Sequence, residues 1–113
     1  MHELSLALNM REIIEDQAKK EGFTSVSSVT LEVGKLSHVE ADAMRFCFSS
    51  AMAGSCAEHA TLHITQTEGL GFCQSCLKTS RLTQLYDPCE FCGAFGLEVT
   101  EGNDIKIKQI AVS

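Results

Sequence analysis

The chain carries no surplus of positive charge. Acids outnumber bases 15 to 9, giving a formal net charge of −6 and a pI near 5.1. A surface that neutralises phosphates needs an excess of lysine and arginine, so nucleic acid is not expected as a partner. Long apolar runs are missing too: no stretch approaches the ~18 residues of a membrane span. Glu3, Asn9, Arg11 and Glu12 interrupt the first residues, which have neither the basic lead nor the continuous apolar core of a secretory signal. No membrane is expected as a partner, and a cytoplasmic protein is expected. Catalytic motifs are also absent. There is no nucleophile–base pair, no glycine-rich phosphate loop and no open zinc triad, so the chain is not expected to be an enzyme. Proline is nearly absent, Pro88 being the only one, but cysteine is not scarce. Six cysteines in a cytoplasmic protein are not read as three disulfides and need another explanation.

The 44% hydrophobic content over 113 residues suits one core with a small satellite. Residues 4–21 read as a helix stopped by Gly22. Leu6, Met10, Ile13 and Gln17 form one stripe, widened by Leu4, Leu8 and Ile14, with Arg11, Glu12, Glu15, Lys19 and Lys20 mostly on the other face. Residues 26–34 alternate as a strand through Val29, Leu31 and Val33. Residues 39–53 read as a second helix; Glu40 and Asp42 supply favourable charge near its N-terminus, and Gly54 follows its end. Residues 61–68 and 104–112 read as two more strands. In the last, Ile105 and Ile107 share one parity while Ile110 and Val112 share the other, which implies a bulge near Lys108 and Gln109. The expected architecture is α+β, with two helices on a three-stranded sheet and an insert before the final strand. Residues 1–68 plus 103–113 would form one domain and residues 69–102 the other. The insert holds five of the eight glycines and four of the six cysteines.

Cys73 and Cys76 form one Cys-x2-Cys pair, and after twelve residues Cys89 and Cys92 form another. Each pair wraps two sulfurs around an ion, and Gly93 permits a tight knuckle after the second. The spacer is long enough for a strand out and back. The pattern is that of a zinc ribbon, with metal binding supplying the folding free energy of a segment poor in large apolar side chains. Iron would satisfy the same four sulfurs, as in a rubredoxin-like electron carrier. A ribbon that only binds another protein has the same signature.

The chain opens Met1-His2-Glu3. The amine of Met1, the amide nitrogen of His2 and its imidazole can close fused chelate rings around one ion. Glu3 can add a carboxylate or its own amide nitrogen. Such nitrogen-rich donors suit square-planar Ni(II) or Cu(II). His2 alone would be weak grounds for a site, since most chain ends carry nothing. Taken with the α-β-α-β order, the two cysteine knuckles and the stretches "LEVGKLSHVEADAMRFCF", "GSCAEHATLHI" and "IKIKQIAV", the chain resembles, over its whole length, the HypA/HybF family of hydrogenase maturation nickel metallochaperones.

That resemblance implies a nickel-binding α+β domain and a structural zinc domain. Nickel would be held by His2, with Met1 and Glu3 in support, and zinc by Cys73, Cys76, Cys89 and Cys92. The expected partners are a HypB-type GTPase and the precursor of a nickel–iron hydrogenase large subunit, and some relatives also serve urease maturation. A monomer or a weak homodimer fits equally. Two departures stand out. The family often has Cys-Pro-x-Cys at the second knuckle, whereas Pro88 here precedes Cys89. No histidine follows His63, so a nickel ligand from the zinc domain, present in some relatives, has no counterpart.

The other candidates are weaker. His38 lies in a loop where it could approach nickel, though a loop histidine is ordinarily solvated. Cys56, His59 and His63 have a loosely metal-like spacing with no fourth ligand; His63 is expected on the face opposite Leu62 and Ile64. Cys47, between Phe46 and Phe48, reads as a small core residue.

Overall fold

The computed structural model describes residues 3–113. The elements are α1 (Glu3–Glu21), β1 (Val26–Gly34), a 3-10 turn (Lys35–Ser37), α2 (Ala41–Met52), β2 (Thr61–Thr67), β3 (Gly69–Phe72), β4 (Thr79–Leu82), β5 (Glu98–Glu101) and β6 (Ile105–Val112). They build two three-stranded sheets, in the orders β2-β1-β6 and β4-β3-β5. This is the α+β arrangement expected, with a four-cysteine insert between β2 and β6. Two compact units emerge. One comprises the chain up to Leu31 with Val39–Ile64 and Ile107–Ser113; the other comprises Glu32–His38 and Thr65–Lys106. No helix among the described residues is long and apolar enough to cross a membrane.

In the first unit α1 buries Ala7, Met10, Ile14 and Ala18. This corrects the stripe read from the sequence, because Leu4, Leu8 and Ile13 are exposed. Small alanines carry little weight in a hydrophobic pattern, yet here they form the buried face. Helix α2 buries Met44, Phe48, Ala51 and Met52. Three polar ties join the helices and their connection. The Glu3 carboxylate accepts from Glu40 N at 3.3 Å. Arg11 Nη1 donates to Ala51 O and Ala53 O at 3.0 and 2.9 Å. Glu15 Oε1 accepts from Cys56 N at 3.1 Å. The start of α1 thus meets the start of α2, and Arg11 meets its end, so the two helices run in the same direction. Glu40 is the N-cap of α2, its carboxylate accepting from Asp42 N and Ala43 N. The sequence suggested favourable charge near the helix start; the structure places Glu40 just before the helix as its cap.

Val29, Leu31 and Val33 of β1 are buried in alternation. In β6 the alternation breaks where the sequence breaks it. Lys108 and Gln109 are both exposed, and Ile110 and Ala111 are then both half-buried.

In the second unit β3 pairs antiparallel with β4, from Gly69↔Leu82 to Phe72↔Thr79. It also pairs with β5, with a register shift between Leu70 and Gly71. The cysteine spacer contains β4 alone and no return strand, contrary to the strand-out-and-back expectation. After Leu82 the Asp87 carboxylate accepts from Thr83 N, Thr83 Oγ1 and Gln84 N, which closes a turn, and Pro88 has no N–H to give to a ladder. Those three donors hold the Asp87 carboxyl below the usual carboxylate range.

Candidate metal centre

The two Cys-x2-Cys pairs make the same turn twice. After Cys73, Leu77 N donates to Cys73 O at 2.8 Å, and Cys73 N donates to Lys78 O at 2.9 Å. After Cys89, Gly93 N donates to Cys89 O at 2.9 Å, and Cys89 N donates to Ala94 O at 2.8 Å. The residue that closes each turn is left-handed, with φ 60° at Leu77 and 77° at Gly93.

These turns aim four sulfurs at one point. Cys73 Sγ lies 3.6 Å from Cys92 Sγ, and Cys76 Sγ lies 3.7 Å from Cys89 Sγ. All four sulfurs lie within 4.8 Å of one another. A disulfide would bring a pair to about 2.0 Å, so these cysteines are not bonded to each other. Four sulfurs set tetrahedrally about 2.3 Å from an ion would be ~3.8 Å apart. The observed spacing fits that cage.

Cys73 and Cys89 are buried, Cys76 is half-buried and Cys92 is exposed. Burial works against a Cys89 thiolate, but the backbone N–H groups of Cys92 and Phe91 and the neighbouring thiols bring Cys89 down to about 6. Burial pushes Cys76 up to about 12, reinforced by the Cys89 and Cys73 sulfurs and opposed by Lys78 N. The cage therefore shares few negative charges among its sulfurs unless a cation sits among them. One divalent ion lets all four ionise, and four sulfurs then fill its shell with no position open for a substrate.

Among the described residues no other group of three or more such side chains converges as this one does. Cys56, His59 and His63 do not form a second. Cys56 is half-buried, while His59 and His63 are exposed, His63 facing away from buried Leu62 as expected. His38 is exposed, with φ 61°. Cys47 is half-buried rather than enclosed in the core. Met1 and His2, expected to hold nickel, lie outside the described residues. Glu3 opens α1, and its carboxylate is engaged at the start of α2. Sequence reasoning missed Ser80 and Glu90, which bond to each other beside the second knuckle and are ten residues apart. No local spacing marks such a pair.

Residues 1–112 match the family described as hydrogenase/urease nickel incorporation, metallochaperone, HypA. The chain belongs to the HypA family. HypA proteins are nickel-incorporation metallochaperones of hydrogenase maturation rather than enzymes, and they act alongside other maturation proteins. The chain is 44% identical over 112 residues to the hydrogenase maturation factor HypA of Rhodopseudomonas palustris strain BisA53, covering 99% of both chains. It is 39% identical over 112 residues to that of Dechloromonas aromatica strain RCB, again with 99% of each covered. Its fold matches the solution structure of the nickel metallochaperone HypA from Helicobacter pylori with a TM-score of 0.74, covering 99% of this chain and 97% of that one at 23% identity.

Proposed function

We propose that this HypA chain carries Ni(II) at its N-terminus and holds a structural Zn(II) in the four-cysteine cage. The observation that carries this reading is the family match itself, which begins at residue 1 and so includes Met1-His2-Glu3. Nickel, the cargo, is bound by the imidazole of His2, with the Met1 amine and Glu3 in support. Zinc is bound by Cys73, Cys76, Cys89 and Cys92, whose spacing suits a closed tetrahedral shell. Residues 1–68 with 103–113 act as the nickel domain and 69–102 as the zinc domain. In the cytoplasm the protein passes nickel, together with a HypB-type GTPase, to the precursor of a nickel–iron hydrogenase large subunit. The same chemistry would serve urease maturation proteins. It works as a monomer or a weak homodimer.

Ni(II) binding requires the Met1 amine, His2 and any participating amide to lose protons, so acid releases nickel before zinc. An N-terminal tag removes the free amine and weakens nickel binding. The decisive experiment is a nickel titration against a competing chelator, on untagged zinc-loaded protein and its His2→Ala variant. Loss of one nickel equivalent with zinc retained is expected. Equal nickel binding in both proteins would remove the N-terminus from the nickel site. It would leave a ribbon protein that works by binding another protein.

A further inference from the structure

Ser80 is fully buried in β4, and a buried hydroxyl must find partners. Glu90, inside the second knuckle, supplies both a donor and an acceptor. Glu90 N donates to Ser80 Oγ at 3.0 Å. Ser80 Oγ lies 3.3 Å from Glu90 Oε2, and equally 3.3 Å from Arg81 O, to share its one proton. The same Oε2 accepts from Arg81 N at 2.7 Å, a charge-assisted bond. Next to it, Lys78 Nζ sits 5.0 Å from the centroid of the Phe91 ring. Residues 90–91, between Cys89 and Cys92, are thereby fastened to residues 78–81, which leave the first knuckle directly. Fixing Glu90 N also sets the peptide that follows, and Phe91 N donates to Cys89 Sγ at 3.4 Å.

We propose that Ser80 and Glu90 form a clasp that sets the metal affinity of the four-cysteine cage by holding the second knuckle against β4. They are positioning residues, not ligands: the converging donor atoms are the four sulfurs, and Glu90 Oε2 is already taken by Arg81 N. The inference rests on reading those cysteines as a metal site. The ribbon folds with its ion, so bonds that hold the second knuckle to β4 in the folded state add to the free energy of binding, and losing them weakens it.

The test uses the full untagged chain, Zn(II) as the probe and a coloured competing chelator, with Co(II) substitution as a spectroscopic check. Partners that orient metal ligands typically change affinity 10–100-fold when removed. Glu90→Ala and Ser80→Ala should each weaken Zn(II) binding by about that factor and speed its release. The double variant should be weaker than either single but by less than the sum of their losses, since each single leaves one bond of the clasp in place. Glu90→Gln keeps an oxygen acceptor and the backbone N–H, and should recover most of the loss. Co(II) charge-transfer bands should persist throughout, showing four thiolates still bound, with ligand-field bands shifted in the alanine variants. Parent-like affinity and release in Glu90→Ala would overturn the proposal. So would parent-like affinity and release in Ser80→Ala. If Cys73→Ser binds Zn(II) like the parent, the four-cysteine reading itself fails, and the proposal falls with it.

Discussion

At the scale of single residues, the two knuckles pose the same backbone demand and meet it differently. Gly93 adopts its left-handed φ freely, and a Cβ added there would meet nothing within 4 Å. Leu77 adopts the corresponding conformation with a side chain, at a cost of roughly 1–2 kcal/mol. Gly93→Ala should therefore weaken Zn(II) binding about five- to thirty-fold, the equivalent of one or two kcal/mol, as read by chelator competition. Leu77→Gly should strengthen it by less, because glycine adds freedom to the unfolded chain. Cys56 makes a different point. Burial first, and then the Glu15 carboxylate, push its thiol above the ordinary value. The fold thus favours the neutral thiol: this contribution to stability is present below the ordinary thiol pKa and is lost as pH rises through the folded value. Site-resolved alkylation of Cys56 should show a midpoint above the ordinary thiol value, and Glu15→Gln should lower it. The four cage cysteines were legible in the sequence because each pair is local and its spacing fixes its geometry. Ser80 and Glu90 were not, because their partnership depends on where β4 lies relative to the second knuckle.

At the scale of elements, Arg11 shows how a residue read as solvent-facing becomes structural. Its guanidinium closes the last carbonyls of α2, where cationic donors are favoured. Arg11→Ala should cost about 2 kcal/mol, the worth of losing hydrogen bonds from a charged group. Unfolding followed by the helical signal at 222 nm would measure it, and a loss under half a kcal/mol would count against the contact. Both helices and the strands of the first sheet were legible from periodicity, with ends within a residue or two, because Gly22, Gly54 and the acids near the start of α2 punctuate the chain. The buried face of α1 was legible only in part, through Met10 and Ile14. Leucine dominates a hydrophobic count, but Ala7 and Ala18 are buried while Leu4 and Leu8 remain outside. The spacer between the cysteine pairs misled for a related reason. Its length allowed two strands, but Asp87 gathers Thr83 and Gln84 into a turn that a residue count does not reveal.

At the scale of the whole molecule, the insert has little to hold it besides its cage. Its three strands are four residues each, and short strands with a small core do not sustain themselves in water. Removing the metal with a strong chelator should collapse the amide resonances of residues 69–102 while those of α1 and α2 persist. Retention of both sets would make the metal dispensable for folding. Lowering the pH should have the same effect, since protons compete with the metal for the thiolates. The division of the chain into units has a further consequence, for the order of events during synthesis. The second unit is complete once Lys106 has been made, but the first needs Ile107–Ser113. A chain emerging from the ribosome therefore presents all four thiols to the metal pool before its helical unit can close. The four cysteines leave the exit tunnel ahead of the strand that completes that unit.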